Sequence, residues 1–268
     1  MRDRVGDRLN RAPVMISGMA SSSIGWQELP YAPLPLALDG SDLVWQELEP
    51  LKSENGPRRI ILISGACTER DVMRGEETQA LGAFQLPLTE KLAGGSLLIM
   101  PGTHSKHLHV EAGQVRTFQT FMTDELFEVL GQHSILQHSL GLSGPISSEL
   151  AGDSLAAFRE GVDQVLLRGL SASLFRVRTR QLLDKLPENS NRAFLSGALV
   201  GSELAYLQQA KFSGRPILLC ASAPLDTLYA SALDALALRE QLTIVAPADV
   251  ARLSALGQGV LLRNLDGL

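Results

Sequence analysis

Leu97-Leu98-Ile99-Met100-Pro101-Gly102-Thr103-His104-Ser105-Lys106-His107-Leu108-His109-Val110 is the stretch that decides the fold. Four apolar residues in a row predict a buried strand. Pro101 and Gly102 stop it. Leu108 and Val110 then alternate with His107 and His109, as in a half-buried strand. The loop between the strands is rich in what an anionic phosphate needs. Gly102 has no Cβ and admits close approach of a ligand. Thr103 and Ser105 bring hydroxyls and Lys106 a point charge, and successive N–H groups can form an anion-binding concavity. These residues alone are equally compatible with a plain polar hairpin tip.

Working outward, the 268 residues suffice for one large or two ordinary domains. A hydrophobic fraction of 45% permits a substantial core. The formal net charge of −5 offers no footprint for nucleic acid. No apolar run has the length of a membrane span, and the first eight residues carry no apolar signal core. The two cysteines, Cys67 and Cys220, adjoin apolar runs and read as buried thiols rather than a disulfide. The expectation is a cytoplasmic protein without nucleic-acid or membrane partners.

Upstream of the hairpin, the charged residues 1–12 read as a helix end and Val14-Met15-Ile16 as a strand running into a small-residue loop at 17–23. Three prolines at 30, 33 and 35 exclude helix or internal strand there. Trp26 and Tyr31 should pin that segment as an ordered loop, either by packing or as one wall of a cleft. Residues 42–51 read as a short helix, 53–57 as a turn and 59–65 as a buried strand. Asp71, Arg74, Glu76 and Glu77 then crowd a strand-to-helix junction ahead of a helix over 77–84. Acidic residues suit the first turn of a helix. In open α/β sheets, however, such a junction is also where ligands bind.

Residues 87–95 read as a boundary between domains. After the hairpin come a third strand over 114–121 and a helix over 124–131 capped by Thr123. Residues 143–149 read as a turn. The stretch 150–186 is helical, broken at Gly161 and Gly169, with Arg176, Arg178 and Arg180 on a solvated face. A helix over 192–209, a strand over 215–221, a tight loop at 222–225, a helix to Leu238, a strand over 242–245 and a helix over 249–262 complete the chain. The pattern βββα, then helices, then βαβα is that of a layered α/β domain.

Several of these motifs resemble the 2-keto-3-deoxygalactonate kinases (2-dehydro-3-deoxygalactonokinases). They are Met73-Arg74-Gly75-Glu76-Glu77-Thr78-Gln79, Met100-Pro101-Gly102-Thr103-His104-Ser105-Lys106, the Gly-Trp and Pro-Tyr-x-Pro-x-Pro of residues 19–35, and Phe194-Leu195-Ser196-Gly197-Ala198-Leu199-Val200-Gly201-Ser202-Glu203. The match runs in order over nearly the whole chain. It implies the actin-like sugar-kinase fold, two ribonuclease-H-like α/β domains with ATP and substrate in the cleft between them. Residues 1–95 would be the sugar-acid side and 96–268 the nucleotide side, with the last helix packing back on the first domain. The implied reaction is ATP-dependent phosphorylation of 2-dehydro-3-deoxy-D-galactonate to its 6-phosphate in D-galactonate catabolism, with Mg²⁺. A homodimer is compatible with it.

The chain departs from the family pattern in three places. Members begin with a strand ending in Asp-Trp-Gly-Thr-Thr, the first phosphate loop, and nothing here matches it. Roughly fifty residues by that comparison are not in this chain, so the first domain is expected to be incomplete and turnover low. Cys220-Ala221-Ser222 stands where Gly often follows the strand, and His107 where Trp is common.

By the resemblance, Gly102, Thr103, His104, Ser105 and Lys106 bind the β/γ-phosphates, and Ala221 and Ser222 lie on the adenosine side. Phosphoryl transfer demands positioning and charge neutralisation. A sugar-acid carboxylate calls for a forked cation, here Arg74. The hydroxyl's proton calls for a carboxylate. Asp71 and Glu76 are the candidates ahead of Glu77, which joins Trp26 and Tyr31 around the substrate. Two readings compete. One is a paralogue that binds a sugar acid without turnover. The other is a metal hydrolase using His104, His107 and His109. A serine hydrolase at Ser17-Gly18 lacks the nucleophile-elbow pattern.

Overall fold

The structure is a computed structural model and describes residues 12–51, 57–141, 152–209 and 212–266. Residues 1–11 of the helix end expected at 1–12, residues 53–56 of the turn expected at 53–57 and the whole turn expected at 143–149 lie outside the described residues. The strands are β1 (Val14–Ile16), β2 (Ala32–Pro33), β3 (Leu36–Ala37), β4 (Trp45–Leu51), β5 (Arg58–Ile63), β6 (Ala66–Cys67), β7 (Val72–Met73), β8 (Gly95–Met100), β9 (Ser105–Glu111), β10 (Gln114–Phe121), β11 (Ile217–Leu219) and β12 (Leu242–Ile244). The helices are α1 (Glu76–Ala83), α2 (Thr123–His133), α3 (Gln137–Leu140), α4 (Asp153–Arg168), α5 (Leu170–Leu174), α6 (Arg176–Leu182), α7 (Glu188–Leu204), α8 (Leu225–Ala235), α9 (Pro247–Val250) and α10 (Leu253–Asp266).

The chain forms two compact units. Unit one comprises residues 1–95, 108–118 and 251–268, and unit two residues 96–107 and 119–250.

In unit one, β5 is the central strand of a three-stranded sheet. It pairs in parallel with β1, Val14 opposite Ile60, and antiparallel with β4, Trp45 opposite Ile63. Residues 60–63 are buried, as their unbroken apolar run requires. Residues 45–51 were expected to continue a helix and are instead β4. An apolar strand buried on both faces needs a ladder on each side, and that pairing overrides the weak helical pattern. The β4–β5 register shifts between Leu48 and Leu51. Pro50 lies there and has no N–H to give the ladder. The proline-rich segment behaves as its composition demands: β2 is an edge of the sheet β2-β6-β7, and β3 pairs antiparallel with Gln114 and Val115 of β10. Helix α10 packs on α1 within this unit.

In unit two, β11 lies between β8 and β12, parallel to both, with Ile217 opposite Leu97 and Leu242. On its other side β8 borders β9 and then β10. Leu97, Ile99, Ile217 and Leu219 feed a core completed by Phe158, Phe194, Leu199, Leu228 and Leu233 from the helices. Helices α4 and α7 touch along their backbones. A Cβ on Gly161 would lie 2.2 Å from the Phe194 carbonyl oxygen, and one on Gly197 1.9 Å from that of Phe158. Gly161 therefore does not break its helix, as its composition had suggested; it allows that contact. Gly169 does end α4.

Two further expectations hold only in part. Arg180 is 2% exposed rather than solvated. Its guanidinium bonds Glu160, Asn191 and Ser190 and lies over the Phe194 ring, so its charge is compensated inside. Cys67 is half-buried, while Cys220 is buried and its thiol pushed up to about 12 by desolvation.

Candidate active site

The crowded junction of unit one is built on the turn from β7 into α1. Gly75 adopts a φ of 116°, a backbone that side chains with a Cβ rarely adopt, and this lets the chain reverse beside Gly18. Two carboxylates brace the turn: Glu76 Oε2 accepts the Arg74 N–H at 3.0 Å, and Glu77 Oε2 accepts the Gly75 N–H at 2.7 Å. Glu77 is fully buried and its other oxygen accepts the Thr78 hydroxyl at 2.9 Å. Desolvation pushes its carboxyl up to about 7, against the pull of those hydrogen bonds. Its place is under the turn, not in contact with solvent. Asp71 caps its own turn, with Oδ1 accepting the Val72 N–H at 2.8 Å and its carbonyl accepting from Thr68.

Arg74 extends from this turn to the loop after β1. Its Nη1 donates to the Ser21 carbonyl at 2.5 Å and the Ser21 hydroxyl at 2.7 Å. Its guanidinium lies 4.1 Å from the centroid of the Tyr31 ring. Arg74 Nε is buried with no hydrogen-bond partner, and Nη2 makes no bond among the described residues. Trp26 is 58% exposed, its N–H bonded to the Ala20 carbonyl in the same loop.

In unit two, the loop between β8 and β9 is shorter than the sequence suggested, because β9 already begins at Ser105. The Ser105 hydroxyl is buried and donates to Glu203 at 2.7 Å, and Lys106 Nζ is bonded to Thr120 Oγ1 at 2.8 Å. The open tip is Gly102, Thr103 and His104. A Cβ at Gly102 would meet nothing within 4 Å, and His104 Nε2 lies 2.7 Å from Glu125. Below the tip lies a cavity of about 300 Å³. Pro101 and Gly102 line it with Thr123 and Phe127 of α2, Ser196 and Leu199 of α7, and Leu225 and Tyr229 of α8. Ala221 belongs to the hydrophobic core, and Ser222 is exposed, with its carbonyl accepting the Asp226 N–H at the start of α8.

Beneath this cavity sits Glu203, a residue that only the resemblance had singled out. Its Oε1 accepts from Ser105 and from His107 Nε2, both at 2.7 Å. Its Oε2 accepts from Tyr229 at 2.8 Å and from Thr123. Desolvation acts to raise its carboxyl, but the hydrogen bond and charge of His107, with those of Thr123 and Ser105, hold it below its usual value. Desolvation and the Glu203 charge push the Tyr229 phenol well up, so it serves as a donor. Thr123, expected as a helix cap, is the first residue of α2 and spends its hydroxyl on Glu203. The signal for this wall was present as helical spacing: Ser196, Leu199, Val200 and Glu203 recur along one face of α7. The three histidines do not converge. His104 goes to Glu125 and His107 to Glu203, and among the described residues no three His, Cys, Asp or Glu are grouped to hold a metal. No helix among the described residues is long and apolar enough to cross a membrane.

The mixed α/β structure carries a basic fork at one strand-to-helix junction and a hairpin loop over a mostly apolar cavity. The 2-keto-3-deoxy-galactonokinase family matches residues 1–256. A 2-dehydro-3-deoxygalactonokinase of Escherichia coli K12 is 33% identical over 234 residues, 85% of this chain and 73% of that protein. A Rhizobium meliloti protein, provisionally named 2-dehydro-3-deoxygalactonokinase DgoK1, is 36% identical over 229 residues, 83% of this chain and 70% of its own. A crystal structure from Sinorhizobium meliloti, provisionally described as a 2-dehydro-3-deoxygalactonokinase, superposes with a TM-score of 0.79 at 32% identity, over 96% of this chain and 81% of that one. The class is that of a carbohydrate kinase. The chain belongs to the 2-keto-3-deoxy-galactonokinase family.

Proposed function

We propose that this chain phosphorylates 2-dehydro-3-deoxy-D-galactonate at its 6-hydroxyl with ATP, within D-galactonate catabolism in the cytoplasm, and that its architecture is that of the actin-like sugar kinases. The observation that carries the substrate side is Arg74. One nitrogen of its fork is engaged by Ser21, the plane is held against Tyr31, and the buried Nε has no partner. A buried donor without an acceptor is rare and points to a ligand. The Nε–Nη2 edge has the geometry of a bidentate carboxylate clamp.

Of the two candidate bases, Glu76 is the better placed. Its Oε1 has no hydrogen bond among the described residues, whereas Asp71 is committed to its own turn. In this reading Glu76 takes the proton of the 6-hydroxyl as the new O–P bond forms and the bond to the ADP oxygen breaks. The cavity of unit two suits a nucleoside. It is apolar on its floor, and beside it the loop offers the Thr103 hydroxyl and backbone N–H groups, with the Lys106 charge behind. Mg²⁺ typically rides on the nucleotide phosphates with few protein ligands and supplies charge neutralisation there; the described residues provide no metal cage of their own.

The test is direct. Incubation with Mg-ATP and 2-dehydro-3-deoxygalactonate should give a phosphorylated sugar acid by mass spectrometry, and calorimetry should show both ligands binding. Sugar-acid binding that survives Arg74→Ala unchanged would refute the assignment of the substrate side.

A further inference from the structure

The Glu203 carboxylate is 2% exposed and accepts four hydrogen bonds, two on each oxygen. The donors come from three elements: Ser105 and His107 from β9, Thr123 from α2 and Tyr229 from α8. Two of these elements, α2 and α8, line the cavity, and β9 follows directly on the hairpin tip that lines it too. Ser105 is the first residue after the hairpin tip, and Thr123 and Tyr229 line the cavity themselves. His107 Nδ1 is buried without a partner among the described residues, so the ring's hydrogen bond is the one to Glu203. One carboxylate thus draws four donors to a single point.

We infer that Glu203 is the positioning residue of the nucleotide side: its carboxylate ties the phosphate hairpin to α2 and α8 and so sets the shape of the cavity that receives the nucleotide. The inference rests on the reading of that cavity as the ATP site. A charged acceptor is needed because an amide offers one acceptor oxygen where four donors converge. Glu203 touches no ligand in this arrangement and acts only through the residues it holds.

The test uses the whole chain with four variants: Glu203→Gln, Tyr229→Phe, Thr123→Val and Leu228→Trp, which fills the cavity. Mg-ATP and 2-dehydro-3-deoxygalactonate are titrated separately by calorimetry, and melting is followed. Glu203→Gln should weaken Mg-ATP at least tenfold and leave the sugar acid within twofold. Tyr229→Phe and Thr123→Val, each missing one tie, should weaken Mg-ATP by a few fold and carry the test if Glu203→Gln does not fold. Unchanged Mg-ATP affinity in Glu203→Gln, with binding abolished by Leu228→Trp, overturns the inference and leaves the ATP site standing. Equal loss of both ligands in Glu203→Gln also overturns it, since a merely structural residue would act that way. Unchanged Mg-ATP binding in Leu228→Trp overturns the reading of the cavity itself.

Discussion

The guanidinium of Arg74 lies 4.1 Å from the centre of the Tyr31 ring while its Nη1 grips Ser21. The ring fixes the plane of the fork, and the serine fixes its rotation in that plane. What remains is the Nε–Nη2 edge, the edge the proposed carboxylate contact would use with little ordering cost.

Arg74→Lys keeps the charge and loses the fork. A charge-assisted hydrogen bond is worth roughly 1.5–3 kcal/mol. The sugar-acid KM should therefore rise by about 10- to 150-fold, with the ATP KM unchanged. Tyr31→Leu removes only the stacking, worth about 0.5–2 kcal/mol, and should give a smaller rise. Steady-state kinetics with each substrate varied in turn measures both effects. A Tyr31→Leu enzyme worse than Arg74→Lys would mean that the ring, not the fork, holds the substrate.

Glu77 makes stability depend on pH in an unusual direction. Burial raises its carboxyl from 4.5 to about 7 in the folded chain. Between those values the folded state binds more protons than the unfolded one, so stability from this group is full below about 4.5 and declines as pH rises to about 7. The integrated loss is on the order of 3 kcal/mol. Glu77→Gln can still accept from Gly75, and the Thr78 hydroxyl can rotate to meet the amide. Denaturant melts at several pH values should show wild type losing stability relative to Glu77→Gln across this window. Parallel curves for the two proteins would place the Glu77 titration elsewhere.

Arg176 and Arg180 sit four residues apart and should behave oppositely. Arg176 pairs with Asp184 at 2.7 Å, with both side chains more than a third exposed. Its loss to Ala should cost about 1 kcal/mol or less. Arg180 is buried with three polar partners. Arg180→Met leaves Glu160, more than a third exposed, to solvent but strands the buried Asn191 and Ser190, and should cost about 1–3 kcal/mol for each stranded group. Similar melting temperatures for the two variants would contradict the buried network.

Period and composition made the strands at 14–16, 60–63, 97–100 and 217–219 legible in advance, because each is an apolar run closed by small or turn residues. The crowding of Arg74, Glu76 and Glu77 was legible for the same local reason. Three things were not. Residues 45–51 form a strand only because β5 needs a neighbour, which is a property of the sheet and not of the segment. The inward turn of Arg180 depends on Glu160 and Asn191, twenty and eleven positions away. The capture of Ser105 and His107 by Glu203 joins residues about a hundred positions apart, so no local pattern separates a phosphate-binding serine from one that anchors the loop from behind.

Helix α10 meets α1, the helix that follows the Arg74 turn, through a backbone contact, and this yields the last prediction. A Cβ on Gly257 would lie 1.8 Å from the carbonyl oxygen of Thr78, and one on Gly82 would lie 1.9 Å from that of Leu253. Neither obstacle is a flexible side-chain end, so Gly257→Ala must push α10 away from α1. Overpacking of this kind costs about 1–3 kcal/mol. Thr78 is the residue that hydrogen-bonds Glu77, and Glu77 in turn holds the N–H of Gly75. The displacement should therefore travel to the Arg74 turn, raising the sugar-acid KM as well as lowering the melting temperature. Gly259→Ala, on the same helix, is the matched control. Its Cβ would find nothing nearer than 3.9 Å, at the far end of Arg263. Replacing glycine by alanine in a helix interior ordinarily stabilises by about 0.5–1 kcal/mol, so this variant should melt slightly higher with its KM unchanged. Thermal melts and sugar-acid kinetics on the pair decide the matter: if Gly257→Ala matches Gly259→Ala in both, the close contact of α10 with α1 does not hold in solution.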